Sequence, residues 1–119
     1  MTQDIYPIYH NSYGIAFQWK RDISRNNFNK IQLVFRNTGF YLTVEDIESF
    51  ANNIKNAKQC GDCKCCGDTI SGNNILLRTP SDKIDLAVDK KELGLIEDLI
   101  EGTLFQIKLD NYLNGLCNN

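Results

Sequence analysis

The sequence predicts an α+β fold built from two similar ββα halves, and three observations support this prediction. Apolar residues alternate with polar ones over two adjoining segments and then recur at helical spacing, and this order occurs twice along the chain. Each helical segment begins at a residue that favours helix N-termini, Thr43 in the first half and Asp89 in the second. The apolar positions of the two halves also correspond in spacing. We therefore expect one mainly antiparallel sheet with both helices on one face, followed by a C-terminal helix, with a cysteine-rich loop over residues 59–73 between the halves.

The size and composition of the chain are those of a globular domain. It has 119 residues, which we interpret as a single domain spanning 1–119, with 42% hydrophobic and 24% charged residues. The net charge of −2 provides no overall attraction to nucleic acid or to a membrane surface. No stretch approaches the ~18 apolar residues of a membrane-spanning helix, and residues 1–7 lack the basic start and apolar centre of a signal peptide. We therefore expect a cytoplasmic protein that does not contact membranes.

The first half is predicted at residues 13–58, after an N-terminal arm over residues 1–12 that shows no clear period. Large apolar residues alternate with small or polar ones over residues 13–20, which predicts an extra leading strand. A polar loop follows at residues 21–29. The large side chains that we expect in the core are Ile15, Phe17 and Trp19.

A hairpin and a helix complete the first half. Residues 31–35 and 40–42 are predicted strands, and the Asn-Thr-Gly sequence at residues 37–39 is typical of a tight turn. A helix then begins after Thr43 and is expected to end near residue 57. The apolar face of this helix consists of Val44, Ile47, Phe50, Ala51 and Ile54.

The second half, residues 74–102, repeats the same order. Strands are predicted at residues 74–78 and 84–88. Asp89 then caps a helix together with Glu92, three residues later, as in a capping box. The apolar face of this second helix consists of Leu93, Ile96, Leu99 and Ile100.

The last segment, residues 103–117, is predicted as a separate C-terminal helix after a break at Gly102. Alternation of Phe105, Ile107 and Leu109 is also compatible with a strand. A helical stripe covers more of the segment and is therefore favoured. This stripe consists of Phe105, Leu109, Tyr112, Leu113 and Leu116.

The cysteines are the feature most typical of a chemical site. Cys60 and Cys63, and again Cys63 and Cys66, are separated by two residues, a spacing at which a turn directs two thiolates at one tetrahedral metal ion. We therefore predict a structural Zn²⁺ site with ligands drawn from Cys60, Cys63, Cys65, Cys66 and Cys117. An iron–sulfur cluster, thiol redox chemistry and a reduced loop without a ligand are the alternatives that the sequence leaves open.

The sequence favours a non-enzymatic function. His10 is the single histidine, no glycine-rich phosphate-binding loop is present, and the carboxylates of the second half are spaced as an exposed helix face. We expect an interaction or regulatory module with an unidentified protein partner, either monomeric or homodimeric. The main alternative is a thiol-redox or metal-handling protein that uses the cysteines at 60–66.

Single-stranded nucleic-acid binding is a weaker alternative. Basic residues neighbour the aromatic Phe17, Trp19 and Phe28, and stacking aromatics combined with cations are typical of single-strand binding proteins. The expected core position of Phe17 and Trp19, on the same strand face as Ile15, disfavours this interpretation. The basic residues are Lys20, Arg21, Arg25, Lys30 and Arg36.

Several segments of the chain also carry a resemblance to a family. They are the hairpin at residues 30–42, the second hairpin at 77–88, the helical segment at 99–106 and the ending at 112–117. Over residues 13–117 the sequence resembles a small bacterial family, found mainly in the Bacteroidetes, that has no assigned activity. The resemblance implies an intracellular α+β protein and no particular mechanism.

Overall fold

The computed structural model describes residues 4–24, 29–62 and 75–117. Four strands form an antiparallel sheet in the order β1-β2-β3-β4, and two further strands, β5 and β6, form a separate antiparallel sheet. The α+β class and the antiparallel pairing are thereby confirmed, whereas the strands of the two halves lie in two sheets and not in the single sheet that we expected. The elements are β1 (Ile5–His10), β2 (Gly14–Trp19), α1 (Lys20–Ser24), β3 (Lys30–Phe35), β4 (Thr38–Thr43), α2 (Val44–Asp62), β5 (Ile75–Arg78), β6 (Asp85–Val88) and α3 (Lys90–Cys117).

The predicted N-terminal arm is wrong, because residues 5–10 form the edge strand β1. It pairs antiparallel with β2 along its length, with an irregularity in register between Pro7 and Tyr9. Proline lacks a backbone N–H and is therefore compatible with an edge strand. The irregularity shifts the side-chain alternation by one residue, which removes the period that would identify a strand in the sequence.

The connections within the first half differ from the predicted ones at two places. The segment expected to be a loop at residues 21–29 begins with the short helix α1. The hairpin turn between β3 and β4 lies at Arg36 and Asn37, one residue before the predicted position, and Gly39 pairs with Val34 inside the ladder. Both turn residues have positive φ, 54° and 59°. A two-residue turn of this kind matches the right-handed twist of the flanking strands.

Both predicted helix caps are confirmed, and both are reciprocal. The backbone N–H of Asp46 donates to Thr43 Oγ1 at 3.1 Å, and the N–H of Thr43 donates to the Asp46 carboxylate at 3.2 Å. The N–H of Glu92 donates to Asp89 Oδ1 at 2.7 Å, and the N–H of Asp89 donates to Glu92 Oε1 at 3.2 Å. Each helix therefore begins where the sequence predicts, although α2 continues to residue 62 and not to 57.

The predicted break at Gly102 is also wrong, because α3 is continuous over 28 residues. The strand alternative for residues 105–109 is likewise excluded, since these residues lie within α3. Gly102 has a packing role instead. A Cβ atom at this position would lie 2.4 Å from the Tyr9 ring, so the glycine allows β1 to approach the helix closely.

The core lies between one face of the four-stranded sheet and the helices α2 and α3, with the β5–β6 hairpin packed on α2. Phe35 contacts Phe40 and Phe50, with ring centroids 5.5 and 6.4 Å apart. The apolar faces of both helices are buried as predicted. The most deeply buried residues on these faces are Ile47, Phe50, Ile54, Ile96, Leu99 and Ile100.

Candidate functional site

The face of the four-stranded sheet that is turned away from α2 and α3, here called the outer face, is the leading candidate for a binding surface. In the ladder, Ala16 pairs with Leu33 and Leu33 with Phe40, and these three side chains belong to the core beneath the helices. The neighbouring row, displaced by one residue, must point to the opposite side. That row contains Phe17, Gln32 and Tyr41.

The face of the predicted leading strand that the helices cover is therefore the opposite of the one expected, although Phe17 is buried as predicted, with 8% of its surface exposed. Ala16 is fully buried among the residues under the helices, whereas Ile15, Phe17 and Trp19 lie on the outer face. The helix-facing side of β2 is crowded at its start. A Cβ atom on Gly14 would lie 2.4 Å from the Val34 carbonyl oxygen and 2.7 Å from Phe35 Cβ on β3, and 3.1 Å from Leu99 of α3, so this position accepts only glycine.

An aromatic pair occupies the part of the outer face formed by β2. The rings of Phe17 and Trp19 meet edge to face, with centroids 5.1 Å apart and an interplanar angle of 79°. The indole N–H of Trp19 donates to Gln32 Oε1 on β3 at 3.1 Å, which fixes the orientation of the indole ring. On the other side of Gln32 lies Tyr41 of β4, with 42% of its surface exposed. Aromatic side chains thus stand on both sides of the central strand.

Cationic groups lie over two of these rings. The Arg21 guanidinium lies 5.1 Å from the centroid of Trp19, and the Lys30 ammonium lies 5.1 Å from the centroid of Tyr41. Cation–π contacts at exposed sites contribute about 0.5–1 kcal/mol each. They keep the two positive charges at the outer face, next to flat aromatic surfaces.

Two carboxylates lie near this surface, and each accepts a hydrogen bond. Asp22 is 4% exposed, and its carboxylate accepts the phenol hydrogen of Tyr41 at 2.8 Å. Glu45 accepts a hydrogen bond from the Asn29 amide at 3.1 Å, and this bond, followed by backbone bonding, lowers the pKa of Glu45. Asp22 is therefore largely withdrawn from solvent, and its contact with the outer face is the hydrogen bond from the Tyr41 hydroxyl.

A second group of polar side chains lies where the β1–β2 turn meets the first half of α3. Tyr9 donates to Asp98 at 2.9 Å and Tyr13 donates to Glu92 at 2.9 Å, while Arg36 lies 3.9 Å from the same Glu92 carboxylate. Burial, followed by the hydrogen bond to Glu92, raises the pKa of Tyr13 to about 12. These groups bind one another across the fold. We interpret them as the attachment of α3 to the sheet.

A cleft of about 480 Å³ opens on the helix-facing side of the sheet, beneath the second half of α3. Its size is within the range of small-molecule sites. Among the described residues that line it, Asp110 is the one charged group, and these residues include neither a nucleophile nor a second acid beside it for acid–base catalysis. The lining residues are Ile8, Gln18, Ile31, Val44, Ile107, Asp110 and Asn111.

Of the five predicted zinc ligands, two fall within the described residues. Cys60 falls in the last turn of α2 and Cys117 is the final residue of α3, whereas Cys63, Cys65 and Cys66 lie outside the described residues. The predicted loop therefore begins later than residue 59. Among the residues that the structure describes, no cluster of three or more potential ligands is present. The zinc, iron–sulfur and redox interpretations stay predictions, which elemental analysis and a visible spectrum of the protein purified in reductant would test.

Comparison of the chain with protein-family models, curated proteins and solved structures gives no match. The resemblance to the bacterial family therefore stays a prediction. Across residues 4–24, 29–62 and 75–117, no helix has both the length and the apolar character needed to cross a membrane. The function has to be argued from the geometry of the outer face.

Sequence reasoning identified Ile15, Phe17 and Trp19 of this face but assigned them to the core beneath the helices. Alternation separates the two faces of a strand without saying which face the helices cover. The small residues Gly14 and Ala16 were the signal that could have identified the helix-facing side, because β3 and α3 together leave no room for a larger side chain at Gly14.

Proposed function

We propose that this protein is a non-enzymatic module that binds single-stranded nucleic acid on the outer face of its four-stranded sheet, in the cytoplasm. The observation that carries the proposal is the placement of Trp19 and Tyr41 on one sheet face with Arg21 and Lys30 over their rings. The sequence disfavoured this function because Phe17 and Trp19 were assigned to the core. Both lie on the side away from α2 and α3, and Trp19 is only partly buried there, whereas Phe17 is 8% exposed and supports the Trp19 ring from below.

Stacking supplies the first part of the binding energy. Trp19 belongs to β2 and Tyr41 to β4, so the two rings stand two strands apart, roughly 10 Å across the sheet. A single strand that contacts both rings must run across the strands of the sheet. Each base stacked on an aromatic ring contributes about 1–3 kcal/mol, largely independent of sequence. Double-stranded nucleic acid cannot offer its base faces in this way and is expected to bind weakly.

Phosphate contacts supply the second part. Arg21 and Lys30 lie over the rings, so a base that stacks on the same ring face displaces the cation, which then lies within reach of the phosphates of the stacked strand. Two phosphates neutralised on a single strand predict a slope of about −1.4 for log K against log salt concentration. The net charge of −2 adds no long-range attraction, so we expect modest affinity that depends on the outer face itself.

The single tryptophan provides a direct measurement, because Trp19 lies in the proposed site. Titration of the full chain with short oligothymidine and oligouridine should quench Trp19 fluorescence at low ionic strength. Fluorescence anisotropy of the labelled oligonucleotides should give the same affinity. Tyr41→Ala should weaken binding about 5- to 150-fold, which corresponds to the loss of one stacked base.

A charge-matched pair of variants separates site-specific binding from general attraction. Arg21→Glu with Lys30→Glu should abolish binding. Lys55→Glu with Lys83→Glu changes the net charge by the same amount at exposed positions outside the outer face, and should leave most of the affinity intact. Equal losses in both double variants, or no quenching of Trp19 in the unaltered protein, would overturn the proposal.

A further inference from the structure

Gln32 lies at the centre of the outer face, between its aromatic side chains. It belongs to β3, and the ladder places Phe17 of β2 on one side of it and Tyr41 of β4 on the other. Its side chain is half-buried. A nucleic-acid strand that runs across the sheet from Trp19 to Tyr41 must therefore pass over the Gln32 amide.

The hydrogen bond from Trp19 determines which way this amide points. An indole N–H is a donor only, so the atom that faces it must be the amide oxygen of Gln32, which accepts at 3.1 Å. The amide nitrogen Nε2 therefore lies on the side away from the indole. With the oxygen engaged by Trp19, the amide offers its surroundings two N–H donors.

Gly39 leaves this amide nitrogen uncovered. It precedes Tyr41 by two residues on β4, so it lies on the same face of the sheet, and it is exposed. A Cβ atom on Gly39 would lie 3.0 Å from Gln32 Nε2, so a side chain at this position would crowd the amide.

The N–H donors of Gln32 are also open to solvent. Within the part of the chain that the structure describes, no group accepts a hydrogen bond from Nε2 of Gln32. In that same part of the chain, no buried side-chain nitrogen or oxygen lacks a hydrogen-bond partner. Nε2 must therefore be accessible, and a bound molecule can supply the acceptor.

A base that stacks on Tyr41 can extend over Gly39, where no side chain obstructs it, and bring one edge to Nε2. Only an acceptor on that edge can pair with the amide. Uracil, thymine, cytosine and guanine each carry a carbonyl oxygen, whereas adenine carries an amino group beside its N7 acceptor. The hydrogens of that amino group would face those of Nε2.

We propose that Gln32 is a specificity-determining residue of the outer face, which favours bases that carry a carbonyl oxygen relative to adenine. This inference rests on the proposed function, because Gln32 meets a base only if a strand stacks on the outer face. One neutral hydrogen bond corresponds to a preference of about 2- to 13-fold in affinity. It adds to stacking, which is largely independent of sequence.

Fluorescence anisotropy with labelled oligouridine and oligoadenosine of equal length tests this inference. Stacking strength differs between the two bases, so the quantity to compare between variants is the ratio of the affinity for oligouridine to that for oligoadenosine. Gln32→Met keeps the length of the side chain and removes the donor. It should lower this ratio about 2- to 13-fold, with unchanged far-UV circular dichroism.

A second variant separates the lost donor from a lost orientation of Trp19. Gln32→Glu keeps an acceptor for the indole N–H and replaces the donor by a carboxylate oxygen. Both affinities should fall because of the added negative charge. The ratio should fall at least as far as in Gln32→Met, because the carboxylate repels a uracil carbonyl and accepts from the adenine amino group.

Gln18→Met is the matched control, because Gln18 lies on the helix-facing side of β2, where it lines the cleft. This variant should keep the ratio of the unaltered protein. A ratio that either Gln32 variant leaves unchanged, even if both affinities fall, would overturn the role of Gln32 and leave the proposed function standing. An unaltered chain that binds neither oligonucleotide at low ionic strength would overturn the proposed function and this inference together.

Discussion

The two ββα units of this protein share a sequence pattern and differ in how they are completed. In the first unit, the six-residue strands β3 and β4 join β1 and β2 in a four-stranded sheet. In the second unit, the four-residue strands β5 and β6 pair only with each other among the described strands. A repeated pattern of apolar residues therefore specifies each hairpin and helix, but it does not specify which strands share a sheet.

The difference extends to burial. The helix positions that correspond in the two units, such as Phe50 and Ile96, are both fully buried. The hairpin positions are not equivalent. Phe40 and Ile84 match in the apolar pattern of the two units, but Phe40 lies in β4 and is 8% exposed, whereas Ile84 precedes β6 and is 48% exposed. Helix α3 contacts α2, β1 and β2 as well as its own hairpin. The second helix is thus buried mainly by the first unit, and the second hairpin is left at the periphery.

The largest effect is expected when the corresponding hairpin residues, Phe40 and Ile84, are each replaced by alanine. Phe40→Ala removes a ring that contacts Phe35 and Phe50, and should lower the free energy of unfolding by about 3–5 kcal/mol. Ile84→Ala should cost about 0.5 kcal/mol, because nearly half of that side chain is already in water. Urea unfolding followed by circular dichroism and by Trp19 fluorescence measures both. Similar costs at the two positions would show that the second hairpin is as well packed as the first.

A second test concerns the contact through which β1 holds α3. Gly102→Ala places a Cβ against the Tyr9 ring and should destabilise the fold by about 1–2 kcal/mol, despite the better helix propensity of alanine. Gly94→Ala, in the same helix with open space around the new atom, should stabilise it by about 0.5–1 kcal/mol. Thermal and urea unfolding would show whether each substitution lowers or raises the free energy of unfolding.

A double variant separates the steric cause from other effects at Gly102. In a Tyr9→Ala background the ring is absent, so Gly102→Ala should become stabilising, as at Gly94. A glycine-to-alanine change that remains destabilising in this background would show that the Tyr9 contact is not the reason for the glycine.

The sequence predicted the local structure better than the tertiary arrangement, for identifiable reasons. The caps at Thr43 and Asp89 were predictable because capping is an interaction between residues three positions apart. Strand β1 was missed because Pro7 and the register irregularity beside it obscure the alternation. The break predicted at Gly102 ignored a contact with a residue 93 positions away along the chain, which no local pattern contains.

The same difference between local pattern and tertiary arrangement limited how much of the candidate site could be predicted. Phe17 and Trp19 were identified as the prominent residues of their strand, and their alternation was correct. Which face the helices cover is a tertiary property that the alternation within one strand does not contain. The cation–π pairs of the outer face join residues from adjacent elements and could be suspected from the basic residues around 20–36.

A smaller effect is expected from the two helix caps. Thr43→Ala and Asp89→Ala each remove the side-chain acceptor of a reciprocal cap and should cost about 1 kcal/mol. Thr43→Ser and Asp89→Asn keep an acceptor and should retain most of the stability. A clearly smaller cost at Asp89, measured by urea unfolding, would indicate that tertiary contacts alone fix the start of α3, as expected if the second helix depends mainly on the first unit.

An effect of similar size at neutral pH is expected at the hydrogen bond from Tyr13 to Glu92, which joins the start of β2 to the start of α3. Tyr13→Phe should cost about 0.5–1.5 kcal/mol there, the usual contribution of one hydrogen bond. The pKa of Tyr13 is raised from 10.0 to about 12 in the folded protein, so folding favours the protonated phenol. Its contribution is therefore complete below pH 10 and is lost as the pH rises from 10 toward 12. Urea midpoints measured across this range should fall less steeply in Tyr13→Phe than in the unaltered protein, and parallel curves would show that this phenol does not couple β2 to α3.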